Sequence, residues 1–398
     1  MSIDPITCSE EELALFCFNR INLEKNNPDS DRKASNFSVE KLLAQQSKLK
    51  ITLDSPLRIL WKITGICNSD CVHCWASLGT EPTTSQLMSV AEQIGENNVL
   101  MVSLSGGEVF LRKDLFKVLK KLKSYNIIVE ILTNGSLIDM ETAKKLAKIL
   151  NLETDVVQVS LDGSKASIHD KQRNSKIFGK AVQGIKNLRK CGIKVRIVFT
   201  ATTINQYDIY NTYKLAVELD VQTFAPTPVF PLRRGKKFKN NLDSMGYIRQ
   251  IAACKNIEDK VSTKLRIQVD QQYQFLMYKY FDLLDFGDIV LNQDRIVFPM
   301  ETNATMQIDA AGEVIPGPEW ETNLSAGNIY EEDLMSIWKK GKNWSEFRKG
   351  RNLIGTSCER CKVFPLCEGG NAKLAYEKYG TINMPDGSCL VNRRNLNV

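Results

Sequence analysis

The cysteines indicate where chemistry can occur. Eleven are present in 398 residues, and seven of them fall into two groups. In the first, Cys67-Asn-Ser-Asp-Cys71-Val-His-Cys74, three thiols lie in the spacing C-x3-C-x2-C on one short loop. Three thiolates so placed can hold three irons of a cubane 4Fe–4S cluster and leave the fourth iron open. A structural zinc site wants four protein ligands, and His73, wedged between two of the thiols, is poorly placed to be the fourth. The second group, Cys358-x2-Cys361-x5-Cys367 followed by Cys389, offers four thiols, a set that suits either a closed iron–sulfur cluster or zinc. Cys8, Cys17, Cys191 and Cys254 stand alone and read as small buried hydrophobes or inert thiols. Grouped thiols in a reducing compartment point to metal rather than to disulfides.

Such loops need a rigid frame. From residue 57 short β-branched runs read as strands: 57–63, 99–104, 127–132, 156–161, 195–200 and 221–225. Between them lie amphipathic stretches with helical spacing, such as Leu115, Val118, Leu119 and Leu122, then Ala143, Leu146, Ala147 and Leu150. Strand–helix alternation of this kind predicts a parallel sheet with right-handed crossovers. Periodicity leaves open whether that sheet is doubly wound or curls into a partial barrel. After Pro231 the alternation stops. Residues 240–300 read as helical and aromatic, with Tyr273, Phe275, Tyr278, Tyr280 and Phe281. From 301 onward Gly, Pro and Cys mark a smaller, loop-rich, metal-stapled unit. The expected organisation is therefore an N-terminal extension (1–50), a core (51–235), a helical bridge (236–300) and a C-terminal cluster domain (301–398). Ser9 with Glu12 forms a capping-box pattern inside the extension.

Taken together, these residues resemble the radical S-adenosylmethionine enzymes. The cysteine loop follows the first strand. Ser105-Gly106-Gly107-Glu108 follows the second and resembles the family's GGE motif. Thr133-Asn134-Gly135 follows the third. Ser160-Leu161-Asp162-Gly163 ends the fourth, with His169-Asp170 and Arg173 beyond it, and Asn205 follows the fifth. All fall where strand C-termini face one rim, the usual ligand side of parallel α/β folds. The match covers about residues 57–235. It implies an α/β fold, a partial (βα)6 TIM-like barrel with a C-terminal iron–sulfur SPASM-like domain. It also implies S-adenosylmethionine as cofactor, bound through Cys67, Cys71 and Cys74 by a 4Fe–4S cluster. Gly106 and Gly107 are then expected to approach the cofactor's amino group, and Ser160 and Arg173 its carboxylate. The backbone at His73 is expected near adenine, with Glu108 bracing the loop and Asn134 among the binding residues. The implied chemistry is one-electron cleavage of the sulfonium to methionine and a 5′-deoxyadenosyl radical, which takes hydrogen from a substrate.

The C-terminal cysteines resemble the second half of the family's SPASM extension, in company with 308–316 (Ile-Asp-Ala-Ala-Gly-Glu-Val-Ile-Pro), Ala326-Gly327-Asn328-Ile329 and Ile337-Trp338. The full pattern uses seven cysteines for two auxiliary clusters. Here no cysteine occurs between Cys254 and Cys358, Gly317 stands where one ligand is expected, and Asn371 stands where another is. Cys358, Cys361, Cys367 and Cys389 match the outer auxiliary site, with zinc the alternative occupant. The implied inventory is two 4Fe–4S clusters, one binding S-adenosylmethionine and one auxiliary, the latter for electron relay or folding support.

Composition excludes much else. The 43% hydrophobic and 25% charged residues are those of a globular chain. The longest uncharged stretch is only 221–232, too short for the ~20 apolar residues of a bilayer span. Asp4, Glu10, Glu11 and Glu12 contradict a secretory signal, so the cytoplasm is expected and no membrane partner is. The net charge of +7 is spread over helix faces, the tightest cluster being Arg233, Arg234, Lys236, Lys237 and Lys239. No nucleic-acid signature accompanies it. Within the family the expected substrate is a ribosomally made peptide, to be cross-linked, oxidised or epimerised. Tetrapyrrole side-chain modification and sulfatase-type protein oxidation are the alternatives, and a non-catalytic iron–sulfur protein is the remote one. The first 50 residues read as too short for a winged-helix leader-binding domain. A flavodoxin- or ferredoxin-type protein is the expected electron donor, and the catalytic residues proper remain unassigned.

Overall fold

The computed structural model describes residues 4–18, 51–74, 79–238, 242–266, 276–283, 295–297, 299, 301–317, 320 and 324–389. Tyr273, Phe275 and Lys239 lie outside them, as does most of the N-terminal extension.

The chain opens with α1 (Glu10–Cys17), whose capping box forms as expected: Ser9 Oγ accepts from Glu12 N at 3.1 Å and Glu12 Oε2 accepts from Ser9 N at 2.9 Å. The alternating region then unfolds as β1 (Arg58–Thr64), α2 (Thr84–Glu96), β2 (Met101–Gly106), α3 (Leu115–Ser124), β3 (Ile128–Thr133), α4 (Met140–Ala147) and β4 (Val156–Ser160). There follow α5 (Ala166–Arg173), α6 (Phe178–Lys190), β5 (Lys194–Ala201), α7 (Ile209–Glu218), β6 (Thr223–Pro228) and α8 (Ser244–Glu258). The remainder comprises β7 (Lys264–Leu265), β8 (Ile296–Val297), β9 (Thr305–Ile308), β10 (Val314–Ile315), α9 (Leu334–Lys340), α10 (Ser345–Arg348), β11 (Arg351–Asn352), α11 (Phe364–Cys367) and α12 (Ala372–Tyr379).

The six expected strands all form, in a sheet of order β10-β9-β1-β2-β3-β4-β5-β6-β7 that is parallel except for the β10–β9 pair. β4 and β5 show most cleanly the period of a sheet with two unlike faces, burial alternating residue by residue. On the outer face Ile59, Trp61, Val102, Leu104, Val129, Ile131, Val157, Ile197 and Phe199 are fully buried beneath helices. On the inner face Leu60, Leu132, Gln158, Ser160, Val198 and Thr200 are only half-buried, so that face encloses an open lumen. This is the partial barrel, resolving the choice that periodicity left open.

Polar residues close the lower end of the lumen. Glu130 on β3 is buried and accepts from Arg58 Nη2 at 2.8 Å, Ser103 Oγ at 2.8 Å and Arg196 Nη1 at 2.5 Å, so its partners come from β1, β2 and β5. Burial alone would raise its carboxyl, but the flanking Arg196 and Arg58 hold it below the usual range.

The sheet does not end where the strand–helix alternation does. β7 adds to its far edge. At the near edge β9 pairs in parallel with β1, Arg58 opposite Thr305 through Trp61 opposite Ile308. The C-terminal segment is thereby built into the barrel sheet. Strands of two to four residues carry no readable periodicity, which is why the sequence pattern stops short of them.

Candidate functional site

The cysteine loop leaves β1 at the C-terminal rim and is clamped on three sides. The end of β2 docks against it: Gly107 N donates to Thr64 O at 2.9 Å and Glu108 N donates to Ile66 O at 2.8 Å. The contact is tight enough to require glycine. A Cβ at Gly106, where φ is +145°, would meet Thr64 O at 2.2 Å, and one at Gly107 would meet Ile66 O at 2.0 Å. The visible demand for these glycines is thus internal, the approach of one backbone to another.

Glu108 is fully buried and accepts from Thr133 Oγ1 at 2.7 Å, Asn134 N at 2.8 Å and Phe110 N at 3.2 Å. Burial pushes its carboxyl above the usual range, against these hydrogen bonds. It locks the ends of β2 and β3 together. From there Asn134 Nδ2 donates to Asn68 Oδ1 at 2.8 Å, and Asn68 Nδ2 donates to Ser136 Oγ at 3.1 Å, which anchors the middle of the cysteine loop.

The third clamp centres on Asp162, wholly buried after β4. Its Oδ1 accepts from Thr200 N at 2.8 Å, and its Oδ2 lies 2.6 Å from Arg173 Nε in an ion pair. Arg173 Nη1 in turn stands 3.7 Å from Cys71 Sγ. Despite burial, Arg173 first and His73 second hold the Asp162 carboxyl low. Asn205 Nδ2 donates to Asp162 O at 3.0 Å and Thr200 O at 2.9 Å, and His169 Nδ1 accepts from Asp162 N at 3.0 Å. His73 Nε2 is 3.9 Å from Asp162 Oδ2, and burial pulls this imidazole down to about 4. The sequence motifs therefore meet at one rim, but Arg173 already has Asp162 as a partner. Ser160, half-buried at the end of β4, lies on the inner face.

The three-thiol loop suits an iron–sulfur cluster on grounds of its own. Ser69 Oγ and His73 Nδ1 are both buried there without a hydrogen-bond partner. Orphaned polar atoms of this kind cost roughly 1–3 kcal/mol each unless a bound group satisfies them.

At the second group Cys358, Cys361, Cys367 and Cys389 line one cavity with Ser357, Val363, Phe364, Gly369, Pro385 and Asp386. Tight turns place the thiols: Cys361 N donates to Cys358 O at 3.3 Å, Cys367 N to Val363 O at 3.1 Å and Cys389 N to Asp386 O at 2.9 Å. Burial pushes the Cys358 thiol up to about 11. Among the described residues no three His, Cys, Asp or Glu side chains converge as single-ion ligands. The four thiols share one cavity.

The positions that depart from the seven-cysteine pattern have other employment. Asn371 Oδ1 caps α12, accepting from Lys373 N at 2.8 Å and Leu374 N at 3.2 Å. A Cβ at Gly317 would meet Glu301 Cγ at 3.2 Å and Trp320 Cδ1 at 3.3 Å.

Sequence reasoning passed over the inner-face residues Lys62, Gln307 and Asp309. Lys62 is 5% exposed, and burial pulls its ammonium down to about 8 against the pull of Asp309. Both polar atoms of the Gln307 amide are buried without a partner. The signal for Lys62 was a lysine two residues beyond Leu60 on the same face of β1; Gln307 and Asp309 had none of their own.

The fold and the clustered cysteines define a class, and comparison with known proteins agrees. The profile of the radical SAM superfamily matches residues 61–216, and that of the SPASM iron–sulfur cluster-binding domain matches residues 300–362. The chain belongs to the radical SAM superfamily and carries a SPASM domain; it is an enzyme that uses S-adenosylmethionine and iron–sulfur chemistry. Among its relatives is the mycofactocin maturase MftC of Mycobacterium ulcerans, 32% identical over 362 residues, covering 85% of this chain and 89% of that protein. The Fe-coproporphyrin III synthase of Methanosarcina barkeri is 26% identical over 373 residues, covering 87% and 91%. Among solved structures, Streptococcus suis SuiB bound to its precursor peptide SuiA superposes with a TM-score of 0.69 at 18% identity, covering 96% of this chain and 92% of that one. Among the described residues no helix is long and apolar enough to cross a membrane.

Proposed function

We propose that the protein modifies a ribosomally made peptide by hydrogen abstraction. S-adenosylmethionine bound at the Cys67–Cys71–Cys74 cluster supplies the hydrogen-abstracting radical. The chain's own residues hold and orient the reactants. Gly106 and Gly107 shape the backbone against the cysteine loop that would hold the cluster, Glu108 and Asn134 keep that loop rigid, and His73 presents its backbone at the rim. Ser160 offers a hydroxyl from the inner face. Arg173 brings its charge to the same rim while remaining paired with Asp162. Cys358, Cys361, Cys367 and Cys389 hold the auxiliary cluster. The domain limits proposed are 1–50, 51–235, 236–300 and 301–398, and the electron donor a flavodoxin- or ferredoxin-type protein in the cytoplasm.

The observation that carries the peptide reading is the breadth of likeness to peptide-acting proteins. MftC shares 32% identity over nearly its whole length, and the fold matches SuiB with a peptide bound. A laterally open barrel suits an extended chain fixed by main-chain hydrogen bonds, with one side chain reaching the lumen. The test is anaerobic incubation with deuterated candidate peptides encoded near this protein. Deuterium in 5′-deoxyadenosine supports the reading. A second reading, tetrapyrrole side-chain modification, is favoured by the Fe-coproporphyrin III synthase and by the pre-heme d1 synthase of Dinoroseobacter shibae, 29% identical over 343 residues. Deuterium transfer from a porphyrinoid and from no peptide would select it.

A further inference from the structure

Arg351 opens β11 beside the C-terminal cysteines and is 2% exposed. Among the described residues no carboxylate lies within ion-pair distance of it. Its guanidinium is instead caged by main-chain carbonyls. Nε donates to Ile382 O at 2.7 Å. Nη1 donates to Gly370 O at 2.6 Å and Glu368 O at 3.5 Å, and Nη2 to Gly369 O at 2.9 Å and Met384 O at 2.6 Å. These carbonyls come from two short stretches. One directly follows Cys367, and the other leads through Pro385 and Asp386 to Cys389. Aiming three consecutive carbonyls at one point needs unusual backbone: φ is +50° at Glu368, +81° at Gly369 and +70° at Gly370. The same Gly369, with Asp386 and all four cysteines, lines the thiol cavity. The guanidinium therefore stands directly behind the wall of that cavity, and Cys358, Asp386 and Cys367 are the ionisable groups that act on it most.

Two consequences follow from the physics. Carbonyl dipoles satisfy the five donors but leave the positive charge uncancelled, and burying an unpaired charge is costly. That cost is reduced when negative charge gathers in the adjoining cavity. A cation at this distance also stabilises whichever state of the occupant is more negative.

We propose that Arg351 is a positioning residue of the auxiliary site. It holds the segments bearing Cys367 and Cys389 ready for a cluster, and it raises that cluster's reduction potential by stabilising the reduced form. The proposal rests on the reading of Cys358, Cys361, Cys367 and Cys389 as cluster ligands. A buried guanidinium thereby organises the two stretches, 368–370 and 382–384, that flank Cys367 and lead to Cys389.

The test uses the full chain, reconstituted anaerobically, with Cys67, Cys71 and Cys74 replaced by Ala so that only the second site is read. Midpoint potential is followed by EPR-monitored titration, and iron loss to a chelator is timed. Arg351→Gln removes the charge and should shift the midpoint to more negative potential. Arg351→Lys keeps the charge but lacks the planar five-donor fork. It should hold the midpoint near that of the parent yet lose iron several-fold faster. If Arg351→Gln does not fold, Arg351→Lys alone still discriminates: a midpoint as parent-like as its iron retention would overturn the positioning role, and a strongly lowered midpoint the electrostatic one. An unshifted midpoint in a folded Arg351→Gln would overturn the proposal while leaving the cluster reading intact. Zinc, or no metal, in the second site would overturn both.

Discussion

At the scale of single residues, the structure gives Arg173 a role that its motif position does not reveal. It neutralises Asp162, a buried carboxylate 2.6 Å away. Removing one partner of a buried pair costs on the order of 3–5 kcal/mol, because the other charge is left unpaired. Arg173→Ala is therefore expected to lower the stability of the metal-free chain by about that much in urea unfolding, before any cofactor is added. Unchanged stability would leave cofactor binding as its sole role. His169 makes a pH prediction. It is buried, accepts from Asp162 N, and burial pulls its imidazole down to about 4 from a usual 6.5. Between those values the unfolded chain binds more protons than the folded one, so stability falls as pH drops from 6.5 towards 4. The share from this residue is on the order of 3 kcal/mol. His169→Gln should flatten the pH dependence of the unfolding midpoint over that window; an equally steep curve would refute the assignment.

Elements matter because they meet only at their ends. The β2 terminus approaches the cysteine loop so closely that side chains at 106 or 107 would overlap carbonyl oxygens. Gly107→Ala should therefore displace the loop and cost the first site its iron, while the second site, built by α11 and its neighbouring turns, keeps its own. Iron analysis of the reconstituted protein should fall from about eight to about four, as it should when Cys67, Cys71 and Cys74 are all replaced by Ala. Full iron content in Gly107→Ala would show that the loop tolerates the overlap. The second site should in turn be separable from cofactor cleavage. Cys361→Ala is expected to leave substrate-free formation of 5′-deoxyadenosine largely intact and to suppress product.

For the whole molecule, the joint between β1 and β9 is the decisive feature. β9 brings Met306 and Ile308, both buried, alongside Ile59 and Trp61. Trp338 on α9 donates its indole Nε1 to Leu53 O at 2.9 Å, just ahead of β1. A chain cut at residue 300 would expose the β1 edge and its apolar outer face, an invitation to aggregation. Such a fragment is expected to be insoluble or to melt without cooperativity. A soluble 1–300 fragment with a sharp transition would show that the two parts fold independently.

The local text of the chain was enough for the thiol loop, the six long strands with their helices, and the motif at each strand end. Each of these is written in contiguous residues: a spacing of thiols, a period of two or 3.6, a glycine pair after a β-branched run. The chain's resemblance to the seven-cysteine pattern also put Gly317 and Asn371 where two ligands are expected. What those residues do instead was decided in three dimensions. Asp162 lies in the motif text, but its partner Arg173 also reaches Cys71, 102 residues away in the chain. β9 finds β1 across an even longer separation with only four residues of strand. Arg351 looks like any charged residue in a polar stretch until two distant loops turn their carbonyls toward it. Pairings of this kind depend on loop closure and on the burial of charge, which act through space and leave no local pattern for the sequence to display.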